Sequence, residues 1–184
     1  ARRKAGLIPS LTMLAMVIAT AVAATGSTAP ALSASFYNLW AQQIDWTSAM
    51  WEEDLGYMQD VGIEWAFITY TSCLDDDKYT NYCWTDSKIT NKTETLYRST
   101  NPEYVQVGDD VLGQFLAAAS KLKMKVLVGL QLVPMTNLSA TAALYRTLAT
   151  DLHTGYGHYD SFRGFYLTQE WEPTSFVGRA NEVG

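Results

Sequence analysis

The chain has 184 residues, with 13 Lys and Arg against 19 Asp and Glu, a net charge of −6. No basic run occurs beyond the first four residues, which excludes a nucleic-acid binder, because phosphate contacts need clustered cations. Apolar residues at 48% and aromatics at 12% exclude disorder for most of the chain. Two Cys are too few for a disulfide-dense scaffold or a four-Cys zinc site.

Arg2, Arg3 and Lys4 precede an apolar stretch from Leu7 to Ala24, with small residues at Ala21-Val22-Ala23 and Leu32-Ser33-Ala34. That is the layout of a secretory signal peptide, expected over residues 1–34. A retained signal anchor and a buried helix are the alternatives, since the run is about long enough to cross a thin bilayer. Pro9, Ser10, Thr12 and Thr20 weaken it as a permanent anchor. Membrane contact is expected only if this segment is retained. Secretion predicts oxidised thiols, so Cys73 and Cys83 are the natural pair, with free thiols as the alternative. It also gives meaning to two N-glycosylation sequons, Asn91-Lys92-Thr93 and Asn137-Leu138-Ser139.

After residue 35 strands and helices alternate. Phe36-Tyr37-Asn38-Leu39-Trp40 reads as a short aromatic strand. Thr47 or Ser48 caps a helix to about Val61, with Trp51, Leu55, Met58 and Val61 at helical spacing and Gly62 at its end. Trp65 to Tyr70 is a nearly continuous apolar run, as in a strand buried on both faces. Residues 71 to about 108 are expected to be a long polar, lid-like loop. Asp109 is the expected cap of a helix bearing Leu112, Phe115, Leu116, Ala119 and Leu122. The strand Lys125–Leu130 follows, then a helix from about Thr141 to His153 with Leu144, Tyr145, Leu148 and Leu152 on one face. Gly164-Phe165-Tyr166-Leu167 is the fourth strand, and Pro173 stops regular structure.

This βαβαβαβ order implies an α/β fold with parallel strands. An open nucleotide-binding sheet needs a Gly-rich first turn, and the turn here, Ala41 to Trp46, has no glycine. A (β/α) barrel of TIM type is therefore expected over residues 35–184. With four strands visible, only its N-terminal half is expected, and its open edges would be a liability.

In a barrel, chemistry gathers where strands end. Those positions are Asn38, Trp40, Tyr70, Gln131 and Gln169 through Glu172. Aromatic faces stack on sugar rings while amides and carboxylates take the hydroxyls, so carbohydrate is the expected partner. A glycosidase needs two carboxylates, about 5.5 Å apart for retention or about 6.5–9.5 Å for inversion. Glu170 is the candidate general acid, because partial desolvation beside a buried strand raises a carboxyl pKa. Glu172, two residues on, faces the same way if the chain stays extended, roughly 7 Å along. Trp171 is a candidate sugar-stacking residue. The bland alternatives are solvated loop acids for Glu170 and Glu172 and core packing for Trp40 and Tyr70. Asp75-Asp76-Asp77 lacks the alternating ligands and central Gly of a calcium loop and reads as a solvated run. His153 and His158 join no Ser/His/Asp or Cys/His set, and neither cofactor nor metal is expected.

The run Trp46-Thr47 through Trp51-Glu52-Glu53-Asp54-Leu55, Met58 and Gly62, then Phe67-Ile68-Thr69-Tyr70-Thr71, resembles the DUF4434 family. Met124 to Leu130 and Ser161-Phe162-Arg163-Gly164-Phe165-Tyr166-Leu167-Thr168-Gln169-Glu170 extend the likeness. That family is grouped with TIM-barrel glycoside hydrolases and is often secreted, so the resemblance implies a glycosidase-like barrel. In the wider group an acid/base Glu follows the fourth strand, which matches Glu170, and its partner follows a later strand. The leading expectation is a secreted glycoside-hydrolase-like protein acting on a polysaccharide or glycoconjugate. The alternatives are a non-catalytic extracellular carbohydrate-binding or structural module, and a self-assembling surface protein whose partner copies cover the open edges.

Overall fold

Apolar runs bounded by polar turns become the main elements of the computed structural model, which describes residues 32–74, 83–84, 92–132 and 138–167. In chain order these are β1 (Ala34–Tyr37), α1 (Ser48–Asp60), β2 (Trp65–Ile68), β3 (Ser72–Leu74), β4 (Thr93–Thr95) and β5 (Val105–Gln106). They continue as α2 (Val111–Lys121), β6 (Lys125–Gly129), β7 (Gln131–Leu132), α3 (Leu138–Tyr156) and β8 (Phe162–Tyr166). The expected leader, both sequon asparagines Asn91 and Asn137, and Glu170, Trp171 and Glu172 lie outside the described residues.

Four strands form one parallel sheet in the order β1-β2-β6-β8, which is their order in the chain. Tyr37, Ile68 and Val128 are in register and buried on one face. Helices α1, α2 and α3 pack on that face. Tyr37 meets Trp51 of α1 and Phe115 of α2, with ring centres 6.3 and 5.0 Å apart. Phe162 meets His153 of α3 at 6.0 Å. The fully buried Trp51, Leu55, Leu112, Phe115, Leu116, Leu148 and Leu152 complete this core, and their burial is the main stabilising term.

The opposite face carries Phe36, Trp65, Phe67, Leu127 and Tyr166. Phe36 and Tyr166 belong to the two outer strands, yet their rings are 5.4 Å apart. Three strand spacings of a flat sheet would separate those strands by about 14 Å. Ring contact across that span requires the sheet to curl around this face. Among the described residues the sheet is an open, curled α/β layer, and no closed barrel forms.

One expectation is corrected: the described residues of 71–108 do not form a structureless loop. β3 and β4 pair antiparallel, β5 joins β4, and β7 joins β3, giving a second sheet in the order β5-β4-β3-β7. The apolar period used to find strands missed it, because β4 is Thr93-Glu94-Thr95, polar in composition but buried throughout. β3 and β7 continue β2 and β6 past the edge of the first sheet. Thr71 ties the junction, its amide donating to Leu130 O at 3.0 Å and its hydroxyl to Gly129 O at 2.8 Å.

Helix ends follow local chemistry closely. The Thr47 hydroxyl accepts from the Met50 amide, and Gly62 leaves α1 with φ 89°, a conformation other residues resist. The cap of α2 is Asp110 rather than the expected Asp109. Asp110 has φ 51°, and its carboxylate accepts from the Gly113 amide and from the Tyr156 hydroxyl, with Arg98 Nε 3.7 Å away. Those three partners hold Asp110 in the left-handed region, which Asp tolerates better than most. Asp110→Ala is expected to cost about 2–3 kcal/mol, from the lost cap and the stranded Tyr156 hydroxyl. Asp110→Asn keeps an acceptor and the backbone tolerance, and should cost roughly half as much or less. Urea midpoints of the two variants check this, and equal losses would refute it.

Candidate functional site

Parallel strands bring their C-terminal ends to one edge, here Tyr37, Ile68, Gly129 and Tyr166. The residues just beyond form a rim. Asn38 is exposed, and its Oδ1 accepts from the Thr69 hydroxyl at 2.6 Å, tying the ends of β1 and β2. Trp40 is 55% exposed. Its amide donates to Gln43 Oε1 at 2.7 Å, and the Gln43 amide donates back to Trp40 O at 2.9 Å. The buried Gln43 amide group donates to the Tyr37 hydroxyl at 3.4 Å. Tyr37 in turn donates to the Asp54 carboxylate. Burial, reinforced by that carboxylate, pushes the Tyr37 pKa well above its ordinary value. The neutral Tyr37 hydroxyl therefore accepts from Gln43 of the Trp40 turn while it donates to Asp54 of α1.

Tyr70 is half-buried, its ring 5.4 Å from the buried Trp84. The Trp84 indole donates to Leu39 O at 2.7 Å, and the Trp84 amide donates to Glu94 Oε2 at 3.0 Å. Cys73 and Cys83 form the expected disulfide. It joins β3 to the residue next to Trp84. Glu94 stands opposite Cys73 across the β3–β4 pair and is 1% exposed. Gln131 lies on β7 beside Ser72 and is 2% exposed, with its backbone carbonyl accepting from Tyr145 OH at 3.1 Å.

Of the site residues predicted from sequence, Asn38, Trp40 and Tyr70 are thus brought to one rim, and Gln131 lies beneath it. Sequence reasoning passed over Trp84 and Glu94. The available signal was an aromatic beside a cysteine, and a Thr-rich triplet with strand propensity, both in a stretch without apolar periodicity. An exposed indole beside an amide can stack on an apolar ring face and hydrogen-bond a hydroxyl. Among the described residues no group of three or more His, Cys, Asp or Glu is placed to hold a metal ion. No helix among them is long and apolar enough to cross a membrane.

The fold has a solved counterpart. It is similar to the crystal structure described as "a putative alpha-L-fucosidase from Bacteroides thetaiotaomicron VPI-5482" at 1.80 Å resolution, with a TM-score of 0.56 and 18% sequence identity. The match covers 74% of this chain and 40% of that one, so this chain spans well under two thirds of its counterpart's length. At that identity the likeness establishes a shared α/β fold. No curated protein matches the sequence. The model of the family described as "Domain of unknown function (DUF4434)" matches residues 32–182, and the chain belongs to that family.

Proposed function

We propose that this is a secreted glycoside-hydrolase-like protein whose described part is an arc of a (β/α) barrel. It acts on a polysaccharide or glycoconjugate by carboxylate general acid/base catalysis. The observation that supports this reading best is the curl of the sheet. Four parallel strands in chain order, with every described helix on one face and aromatic rings meeting across the other, match the wall of a barrel, where catalysis occurs at the C-terminal rim. Asn38, Trp40 and Tyr70 stand at that rim as the sugar-binding set. Glu170 follows Tyr166, the last residue of β8, by four positions and is the proposed proton donor, with Glu172 as the nearby second carboxylate. The disulfide suits an oxidising compartment.

The test is hydrolysis of a panel of polysaccharides and 4-nitrophenyl glycosides, the α-L-fucoside included. Glu170→Gln is expected to lower kcat/KM on a polysaccharide by roughly 10²–10⁴-fold, the range of a lost general acid. The loss should be smaller on 4-nitrophenyl glycosides, because nitrophenolate departs without a proton. Undiminished hydrolysis of the polysaccharide removes Glu170 from the mechanism. Binding of a glycan with no turnover of any favours a non-catalytic carbohydrate-binding module on the same scaffold.

A further inference from the structure

We infer that Trp84, held by Glu94 and by the Cys73–Cys83 disulfide, is the positioning residue for the aromatic part of the rim, the Leu39–Trp40 turn and Tyr70. Three contacts converge on it. Its ring lies against Tyr70, its indole N–H reaches the carbonyl of Leu39, and its amide is taken by the Glu94 carboxylate. Leu39 is 3% exposed and Trp84 6%, so this hydrogen bond is sheltered from water. Simple core packing does not require it. The buried Trp51 indole nitrogen has no hydrogen-bond partner among the described residues, whereas that of Trp84 is aimed at the backbone immediately before Trp40.

Glu94 explains how a residue in a polar stretch comes to sit there. A buried carboxylate is costly unless it is hydrogen-bonded, and the Trp84 amide supplies one such bond. The disulfide ties neighbouring Cys83 to β3, the strand opposite Glu94. Trp84 is thus tethered through Cys83 and hydrogen-bonded by Glu94. The consequence reaches Trp40, which needs a fixed turn if its exposed ring is to present one face to a ligand. That last step rests on the sugar-binding reading of Trp40, and the positioning itself does not.

Hydrogen exchange on the full, oxidised chain separates the two. The amides of residues 40–43 report the turn through the Trp40–Gln43 hydrogen bonds. Trp84→Phe keeps a ring but removes the donor. It should speed exchange at 40–43 by roughly 3- to 10-fold, as expected for one lost hydrogen bond, and leave residues 125–129 of β6 unchanged. Glu94→Gln retains an acceptor for the Trp84 amide and should behave like the wild type, whereas Glu94→Leu should reproduce the Trp84→Phe effect. If Trp84→Phe does not fold, the same local acceleration is expected when the wild-type disulfide is reduced with tris(2-carboxyethyl)phosphine. Unchanged exchange at 40–43, or an increase matched by residues 125–129, overturns the assignment. Because no sugar enters this measurement, an inactive glycoside panel overturns the functional reading alone.

Discussion

Gly129→Ala is expected to destabilise the protein by about 3 kcal/mol or more, enough to abolish folding if the starting stability is ordinary. Gly129 is the last residue of β6 and is paired across the sheet with Tyr166. A Cβ built on it would sit 2.2 Å from the carbonyl oxygen of Thr69 and 2.3 Å from that of Ile68. These are backbone atoms of the neighbouring strand's end, so no side-chain rotation relieves the overlap. β2 and β6 would have to separate where Thr71 hydrogen-bonds the Gly129 carbonyl, which is also where the first sheet hands over to the second. Gly56→Ala is the control. Gly56 has open space around its Cβ position and lies within α1, so alanine there should stabilise by about 0.5–1 kcal/mol. Urea denaturation of the two variants is decisive, and a neutral Gly129→Ala would show that the strands do not approach this closely.

Stability should fall steeply in alkali, beginning near pH 10. Tyr37, Tyr97 and Tyr156 are buried, and burial is the largest cause that raises each pKa above the ordinary 10.0. Carboxylates add to it, Asp54 beside Tyr37, Asp151 beside Tyr97 and Asp110 beside Tyr156. In the unfolded chain the same phenols ionise near their ordinary value. A pKa raised on folding gives stability that is complete below the unfolded pKa and is lost as pH rises past it. Each such tyrosine contributes a slope of about 1.4 kcal/mol per pH unit above pH 10, so the three together approach roughly 4 kcal/mol per unit. Urea midpoints measured from pH 8 to 11.5 should be flat and then drop, with the phenolate absorbance of the buried tyrosines appearing together with unfolding. Tyr156→Phe should be less stable at pH 8, because the Arg98 amide and Asp110 lose the hydroxyl, yet show a shallower alkaline slope. Constant stability up to pH 11 would mean these hydroxyls ionise freely in the folded protein.

Much of the main framework was legible along the chain. Buried strands were visible as apolar runs at Trp65–Ile68 and Lys125–Gly129, and α1 and α2 as apolar faces at helical spacing, because period and composition are local properties. The Thr47 cap and the terminal Gly62 were legible for the same reason. The Cys73–Cys83 bond followed from only two cysteines being present. The second sheet was not legible. Thr93, Glu94 and Thr95 are flanked by strands that arrive from Ser72–Leu74 and Val105–Gln106, and nothing in the triplet itself announces that. The cap moved from Asp109 to Asp110 because the distant Tyr156 hydroxyl reaches the Asp110 carboxylate, whereas Arg98 lies close to both carboxylates.

Local pattern along the chain sets the alternation of strand and helix in the first sheet, the parallel run of that sheet's strands, and the aromatic and amide side chains that follow the strand ends. Each of those depends on neighbours within a few positions. Packing in three dimensions sets the curl that brings Phe36 to Tyr166, the place of Gln131 beneath the rim while Trp40 stands out from it, and the reach of Trp84 to Leu39. Those outcomes depend on contacts between residues tens of positions apart, whose closeness arises from packing and leaves no local pattern in the chain.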